Sequence, residues 1–442
     1  MPRKVSLPEG FQPNNAGLWE KNGQIRSIER NYRLVTPLFG GGEQANRADS
    51  VTVLRSSSIK GQLRFWWRAV RGWRSEGNLQ RLLALEEQIW GGVTVKKQSS
   101  RVGIRLDLLE PADATKLQHL NAQRAPRYVA FPLLQGSEED KKKGLAINIR
   151  FRLTLTLRPE SGGTSNGDAL GLKELKDEVQ AALWAWETFG GIGARTRRGF
   201  GAVEVKGFTK NPPRKGLETY GNPDSRNWPK DVPHLTTQSK IQVFDIGWRD
   251  VIDLYQRFRQ FRPDINRVWH NGKEREVPGP NKWPEAALIR WAYDPRKYQA
   301  PDFLVAPRTL FGLPIPFFFL QDKSLGKEGK MRLTGKQTKE DNIDRLASPL
   351  IIRPQDEKTT LVAILEGPRI PPGGVFLHPT PRVKALANSP IEVKIDDAVS
   401  ELIEAGLDVL KIGGTLYADP VLAFWECLRN EECIKRLRSV HV

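Results

Sequence analysis

One loop constrains the fold of this chain more than any other segment: Gly191-Ile192-Gly193-Ala194-Arg195-Thr196-Arg197-Arg198-Gly199-Phe200-Gly201, in which four glycines frame three arginines. Upstream, Leu172 to Phe189 has the periodicity of a helix, and downstream Ala202 to Val205 has strand character, so the loop joins a helix to a strand. A dinucleotide-binding glycine loop runs the other way, from strand to helix, and a Rossmann fold is therefore excluded. The residue types still suit an anion. Glycine lets backbone N–H groups approach a phosphate closely, and arginine offers paired donors to its oxygens.

The charge of the whole chain points the same way. Lys and Arg number 69 against 51 Asp and Glu, a net charge of +18 over 442 residues, which predicts a polyanionic partner, nucleic acid before all others, and no small-molecule substrate. No apolar run reaches the roughly 18 to 20 residues of a membrane span. Phe11-Gln12-Pro13-Asn14-Asn15 stands where a signal peptide would carry its apolar core, so a cytoplasmic protein free of the membrane is expected. The five histidines are dispersed, and Cys427 and Cys433 read as buried thiols on a helical C-terminal segment; neither set has metal-ligand spacing, and no metal or other cofactor is expected. Neither Gly40-Gly41-Gly42 nor Ser58-Ile59-Lys60-Gly61 has the spacing of a P-loop.

Along the chain, short strands alternate with helices. Asn31 to Leu38 alternates as a strand and ends at the glycine turn 40–42; a helix follows from about Ser58, capped by Ser57 or Ser58, and a second covers Leu79 to Trp90. Val102 to Leu109, Tyr128 to Leu134 and Ile147 to Leu157 read as strands before the helix at Leu172. The sequence predicts an α+β layer with helices on one face of an antiparallel sheet. Between 211 and 233 proline, glycine and asparagine accumulate, which predicts a domain covering residues 1–215, a linker over 216–239 and a second domain over 240–442. In the second part, Lys240 to Ile246 and a helix over Val251 to Phe261 are followed by an irregular stretch from Arg262 to Pro307 and a polar, basic loop from Gly326 to Glu340. Leu350 to Ile352 and Leu361 to Leu365 read as strands, and Asp397 to Val409 and Val421 to Leu437 as closing helices.

On the first helix Lys60, Arg64, Arg68, Arg71 and Arg74 fall on one arc beside the apolar arc, giving a buried side with a cationic rim. The bland alternative is a solvated basic face. Trp67 lies on the border of the two arcs, where a ring can stack on an unpaired base, although simple packing is the competing reading. His119 and His378 are the residues a metal-independent ribonuclease would draw on.

Three of these segments together resemble a known family. Thr36-Pro37-Leu38-Phe39-Gly40-Gly41-Gly42, Ser57-Ser58-Ile59-Lys60-Gly61-Gln62-Leu63-Arg64-Phe65-Trp66-Trp67-Arg68-Ala69 and the glycine loop are similar to the RAMP proteins of CRISPR systems, the first two most of all to the first-subunit family of the type III-B Cmr effector complex. Arg345-Leu346-Ala347-Ser348-Pro349-Leu350-Ile351-Ile352-Arg353-Pro354 resembles a further stretch of that family. The resemblance implies two ferredoxin-like, RRM-related domains and a non-catalytic, RNA-binding subunit of a ribonucleoprotein in antiviral defence, with guide RNA, target RNA and the other Cmr subunits as partners. Under it, Lys60, Arg64, Arg68, Arg71, Arg195, Arg197, Arg198 and, in the second domain, Lys336, Arg345 and Arg353 would meet RNA phosphates. Gly40, Gly41, Gly42, Gly191, Gly193, Gly199 and Gly201 would allow close backbone approach. Arg345 and Arg353 are equally placed to brace a strand or a subunit contact. Some RAMP relatives instead process guide precursor, and the exposed apolar stretches between Arg262 and Leu320 suit an assembly role.

Overall fold

The computed structural model describes residues 26–40, 53–95, 97–109, 117–119, 126, 128–130, 144–159, 170–207, 212–270, 273–318, 330–336, 345–387 and 389–440. In the first half, strand β1 (Arg26–Leu34) leads to helix α1 (Ser56–Arg71), a 3-10 turn over Gly72–Ser75 and helix α2 (Leu79–Trp90). Strands β2 (Val102–Leu108) and β3 (Arg150–Leu157), helix α3 (Leu172–Phe189) and strand β4 (Val203–Lys206) follow. The sheet is ordered β2-β3-β1-β4 and every neighbouring pair is antiparallel. Strand, helices, two strands, helix, strand, with the first and third strands in the middle, is the ferredoxin-like arrangement.

Alternation explains which face is covered. Phe151, Leu153, Leu155 and Leu157 of β3 are fully buried, while Arg152, Thr154 and Thr156 between them face the other way. The buried residues share a core with Ile59, Leu63, Trp66 and Val70 of α1 and Leu175, Val179, Ala182 and Trp186 of α3. Each such side chain contributes about 1.5 to 3 kcal/mol by leaving water.

The second half opens with α4 (Pro213–Tyr220), then β5 (Ile241–Phe244), α5 (Trp248–Arg259) and α6 (Glu285–Tyr293). Strands β6 (Ile315–Phe318), β7 (Lys330–Gly335), β8 (Leu350–Pro354), β9 (Thr360–Ile364) and β10 (Val375–His378) precede the closing helices α7 (Pro420–Cys427) and α8 (Glu431–Ser439). They form two antiparallel three-stranded sheets, β8-β9-β5 and β6-β7-β10. The chain is thus α+β with antiparallel sheets.

Sheet β8-β9-β5 is a wall between two cores. Ile351, Leu361, Ala363 and Ile241 face the core of the first half, whereas Leu350, Ile352, Val362, Ile364 and Phe244 face a second core built on α5, α6, α7 and α8. Burial on both sides explains why these strands read as unbroken apolar runs, Leu-Ile-Ile and Leu-Val-Ala-Ile, instead of alternating.

Several expectations need correction. Helix α1 starts at Ser56, with Arg55 in the extended capping position and no serine side chain closing the end. Tyr128 to Ala130 is helical, not extended, and 131–134 lies outside the described residues. The stretch from Arg262 to Pro307 is not irregular throughout: it holds a β-ribbon, Ile265–His270 against Lys273–Pro278, and helix α6. Part of the expected basic loop is strand β7, anchored by buried Met331 and Leu333. The helix expected over Asp397 to Val409 is a short helix at Val399–Glu404 and a separate 3-10 turn at Asp408–Leu410. Cys427 and Cys433 are a disulfide, not free thiols. They meet because the C-terminal segment is two helices: α7 ends at Cys427, and Asn430 caps α8 by accepting from the Cys433 N–H at 2.8 Å, which turns the chain back on itself.

Candidate nucleic-acid interface

Helix α1 buries Ile59, Leu63, Trp66, Trp67 and Val70 against α3 and leaves Lys60, Arg64, Arg68 and Arg71 half-buried along its rim, continued by Arg74 in the 3-10 turn. Two buried carboxylates brace that rim. Glu86 of α2 accepts from Arg64 Nε at 2.5 Å and from Arg68 Nη1 at 2.7 Å. Glu178 of α3, only 1 % exposed, accepts from the Trp67 indole at 2.7 Å, from Arg71 and from Arg74. Burial works to raise the Glu178 pKa, but the hydrogen bonds and charge of Arg71, with Trp67 and Arg74, hold it below the ordinary value. Burial lowers the Lys60 pKa, and the adjacent Arg64 adds to the effect. Four arginines therefore share two carboxylates, with Lys60 further along the same rim. The carboxylates fix the guanidiniums while much of the rim stays in contact with solvent, with about a third of Arg64, Arg68 and Arg74 exposed. Such pre-ordering lowers the conformational entropy lost when a phosphate binds.

Trp67 is 1 % exposed and spends its N–H on Glu178, which leaves no ring face for a base. Trp66 is likewise core, stacked on Phe189 with centroids 5.6 Å apart. Phe65 is only partly buried, and the Arg197 guanidinium lies over its ring at 5.2 Å, so the glycine loop and the α1 rim adjoin.

The loop itself is turned inward. Ile192 N–H donates to Gly201 O, Ala194 N–H to Phe39 O and Gly201 N–H to Pro37 O, at 2.7 to 2.9 Å, while the Thr36 hydroxyl donates to Gly199 O and accepts from Ala202 N–H. These amides are committed to the Thr36–Phe39 segment and to the loop, so they do not form an open phosphate cradle. Two of the glycines serve close packing: a Cβ on Gly201, at φ 63°, would lie 1.9 Å from Ile192 O, and one on Gly199, at φ 88°, would lie 2.3 Å from the Trp248 indole nitrogen. Of the other predicted glycines, Gly191 and Gly193 lie in the same packed loop, Gly40 is buried beside it, and Gly41 and Gly42 lie outside the described residues.

The loop arginines reach into the second half. Arg197 donates to Ser348 O, and Arg198 donates to Leu350 O at 2.8 Å and to the Tyr255 hydroxyl at 2.9 Å. Trp248 returns a bond to Arg198 O at 2.8 Å. Burial, with Arg198 alongside, lowers the Arg197 pKa to about 10. Arg195 is more exposed and donates to Val129 O at 3.0 Å. Arg353, 1 % exposed, crosses the other way from β8 to Gly190 O at 2.9 Å and Val203 O at 2.7 Å, and burial lowers it to about 10 as well. Arg197, Arg198 and Arg353 thus tie the halves together, and Arg353 braces the wall. Lys336 and Arg345 are exposed.

Sequence reading missed Glu86 and Glu178, although Glu178 had a signal: it is an acid amid the apolar positions Leu175, Val179 and Ala182 of α3. Among the described residues no group of three His, Cys, Asp or Glu is placed to hold a metal ion, and no helix is long and apolar enough to cross a membrane. The His119 side chain lies outside the described residues. His378 sits on β10 opposite Arg332, and burial followed by that charge lowers its pKa.

Residues 31–204 match the sequence profile of the RAMP superfamily. Two relatives from Pyrococcus furiosus align: CRISPR system Cmr subunit Cmr1-2, 28 % identical over 182 residues, covering 39 % of this chain and 91 % of the relative, and Cmr1-1, 29 % identical over 271 residues, covering 59 % and 70 %. Among solved structures, Cmr1 from Pyrococcus furiosus in its apo form superposes with a TM-score of 0.41 at 17 % identity over 83 % of this chain and 93 % of that one. A chain of the type III-B Cmr-beta complex bound to cognate target RNA gives 0.43 at 13 % identity over 78 % and 95 %. By the segment that carries α1 and the glycine loop, and by its curated relatives, the chain is similar to the RAMP proteins and resembles the first subunit of the type III-B Cmr effector complex.

Proposed function

We propose that this chain is a non-catalytic, RNA-binding subunit of a type III-B Cmr effector complex, gripping the phosphate backbone of guide or target RNA along the α1 rim. The observation that carries the reading is the charge balance of that rim: Lys60, Arg64, Arg68, Arg71 and Arg74 against Glu86 and Glu178, held in place and half-open to solvent. Exposed Arg195, Lys336 and Arg345 are candidates to extend the track. Contacts to phosphate fix position without reading bases, which suits a complex whose sequence specificity comes from guide pairing.

The test is a titration of labelled single-stranded RNA at several salt concentrations. Each of Arg64→Ala and Arg68→Ala should flatten the slope of log K against log salt by about 0.7 if its guanidinium neutralises one phosphate. Unchanged affinity and slope in both would reject the rim as the interface. Incubation of the chain with repeat-containing RNA in EDTA tests the non-catalytic half of the proposal, and specific cleavage abolished by His119→Ala or His378→Ala would overturn it.

A further inference from the structure

The ribbon Ile265–His270 with Lys273–Pro278 stands out by its length and exposure. Among the described residues it pairs only with itself, as two shorter ribbons do, and every residue from Asp264 to Trp269 and from Lys273 to Glu276 is exposed. Both faces therefore meet solvent. The register puts Ile265, Arg267 and Trp269 opposite Pro278, Glu276 and Glu274 on one face, and Asn266 and Val268 opposite Val277 and Arg275 on the other. Trp269 is 76 % exposed, Ile265 45 % and Val268 40 %. A two-stranded ribbon is marginal alone in water, and a large ring held out on one is at odds with stability of the free chain.

We propose that this ribbon is the docking element for a neighbouring protein subunit, Trp269 entering an apolar notch bordered by groups of both charges. The proposal rests on the reading of the chain as a complex subunit. Charge selects a protein over RNA. On the Trp269 face the exposed charges are mixed, Arg267 against Glu274 and Glu276, with Arg267 and Glu276 paired at 3.6 Å and Glu274 directly across from the ring. That face repels a phosphate backbone as much as it attracts one, whereas a protein surface of alternating sign complements it. The residue types agree, since tryptophan and arginine dominate the energetic centres of protein interfaces. Among the described residues the outer edges of both strands are unpaired and so available to a strand of the partner.

The experiment is competitive assembly. Wild-type chain and Trp269→Ala, differently tagged, are mixed in equal amounts with the remaining Cmr subunits and guide RNA, and the ratio incorporated is read by mass spectrometry. The ribbon belongs to neither hydrophobic core, so thermal unfolding of the variant should match wild type. Wild type should win by about 30-fold, the equivalent of the roughly 2 kcal/mol that marks an interface anchor, while the RNA affinity of the isolated variant stays unchanged. Equal incorporation overturns the proposal. So does a loss of RNA affinity in the isolated variant, which would assign the ribbon to RNA, or a dimer-to-monomer shift in sedimentation, which would assign it to a second copy of this chain. Failure of the wild-type chain itself to enter any complex would overturn the subunit reading and this inference with it. Arg267→Glu, on the same face as Trp269, provides a second arm: charge reversal should also impair assembly, with no change in folding.

Discussion

The α1 rim and the glycine loop are both arginine clusters, they touch through Arg197 and Phe65, and they do opposite things. On the rim the guanidiniums are paired with carboxylates beneath them and face water above. In the loop Arg197 and Arg198 donate to main-chain carbonyls of the other half, Ser348 and Leu350, and to the Tyr255 hydroxyl. Arginine content alone does not distinguish a ligand site from an internal clamp. Partner and exposure do: a guanidinium held by a carboxylate while about a third of its side chain stays exposed keeps donors for a ligand, whereas one spent on buried carbonyls is committed to the fold.

The comparison breaks most sharply at Gly201. Gly201→Ala forces a Cβ against Ile192 O at a positive φ, and a loss of about 3 kcal/mol or more is expected in thermal or urea unfolding. A near-normal melt would mean that the loop is looser than a clamp. Next in size is Arg353→Met, which keeps the volume but strands the Gly190 and Val203 carbonyls; it should cost about 2 to 4 kcal/mol in urea unfolding without altering the RNA salt slope.

On the rim, Glu178 sharpens the contrast through pH. Its native pKa is depressed, so the stabilisation is present above the unfolded glutamate value of about 4.3 and is lost as pH falls through the native one. The Tm gap between wild type and Glu178→Gln should accordingly be flat above about pH 5 and close in more acid solution. A gap that persists unchanged to low pH would show that the carboxylate charge is not what braces the rim. The smallest effect on stability belongs to Arg64→Ala, under about 1 kcal/mol because the side chain is a third exposed and Arg68 still serves Glu86. Its effect on RNA binding should be larger than its effect on folding, the reverse of Arg353→Met.

Much of this fold was legible from periodicity. Helices over Leu79–Trp90 and Leu172–Phe189 were read to the residue because glycines close both and their apolar positions recur strictly. The ribbon was not, since Lys-Glu-Arg-Glu alternates charge with charge and buries neither face, leaving period two without a hydrophobic signature. Strand β7 was hidden for a related reason: only Met331 and Leu333 mark it within a basic stretch. At the candidate site, the rim itself was visible from helical spacing, but which arginines point outward was not. That depends on Glu86 and Glu178, which reach α1 from other helices, and on carbonyls more than 150 residues away from Arg197 and Arg198. The cysteine pair escaped because its meeting depends on a turn that Asn430 makes, not on the spacing of the two residues.

The sheet that serves as a wall has a mechanical corollary. Swinging one half against the other would pull Ile351, Leu361 and Ala363 from one core or Leu350, Ile352 and Val362 from the other, exposing apolar surface at about 25 cal/mol for each Å². The proposed docking ribbon on the second half and the proposed RNA rim on the first are thereby joined through one shared sheet whose two faces each belong to a core.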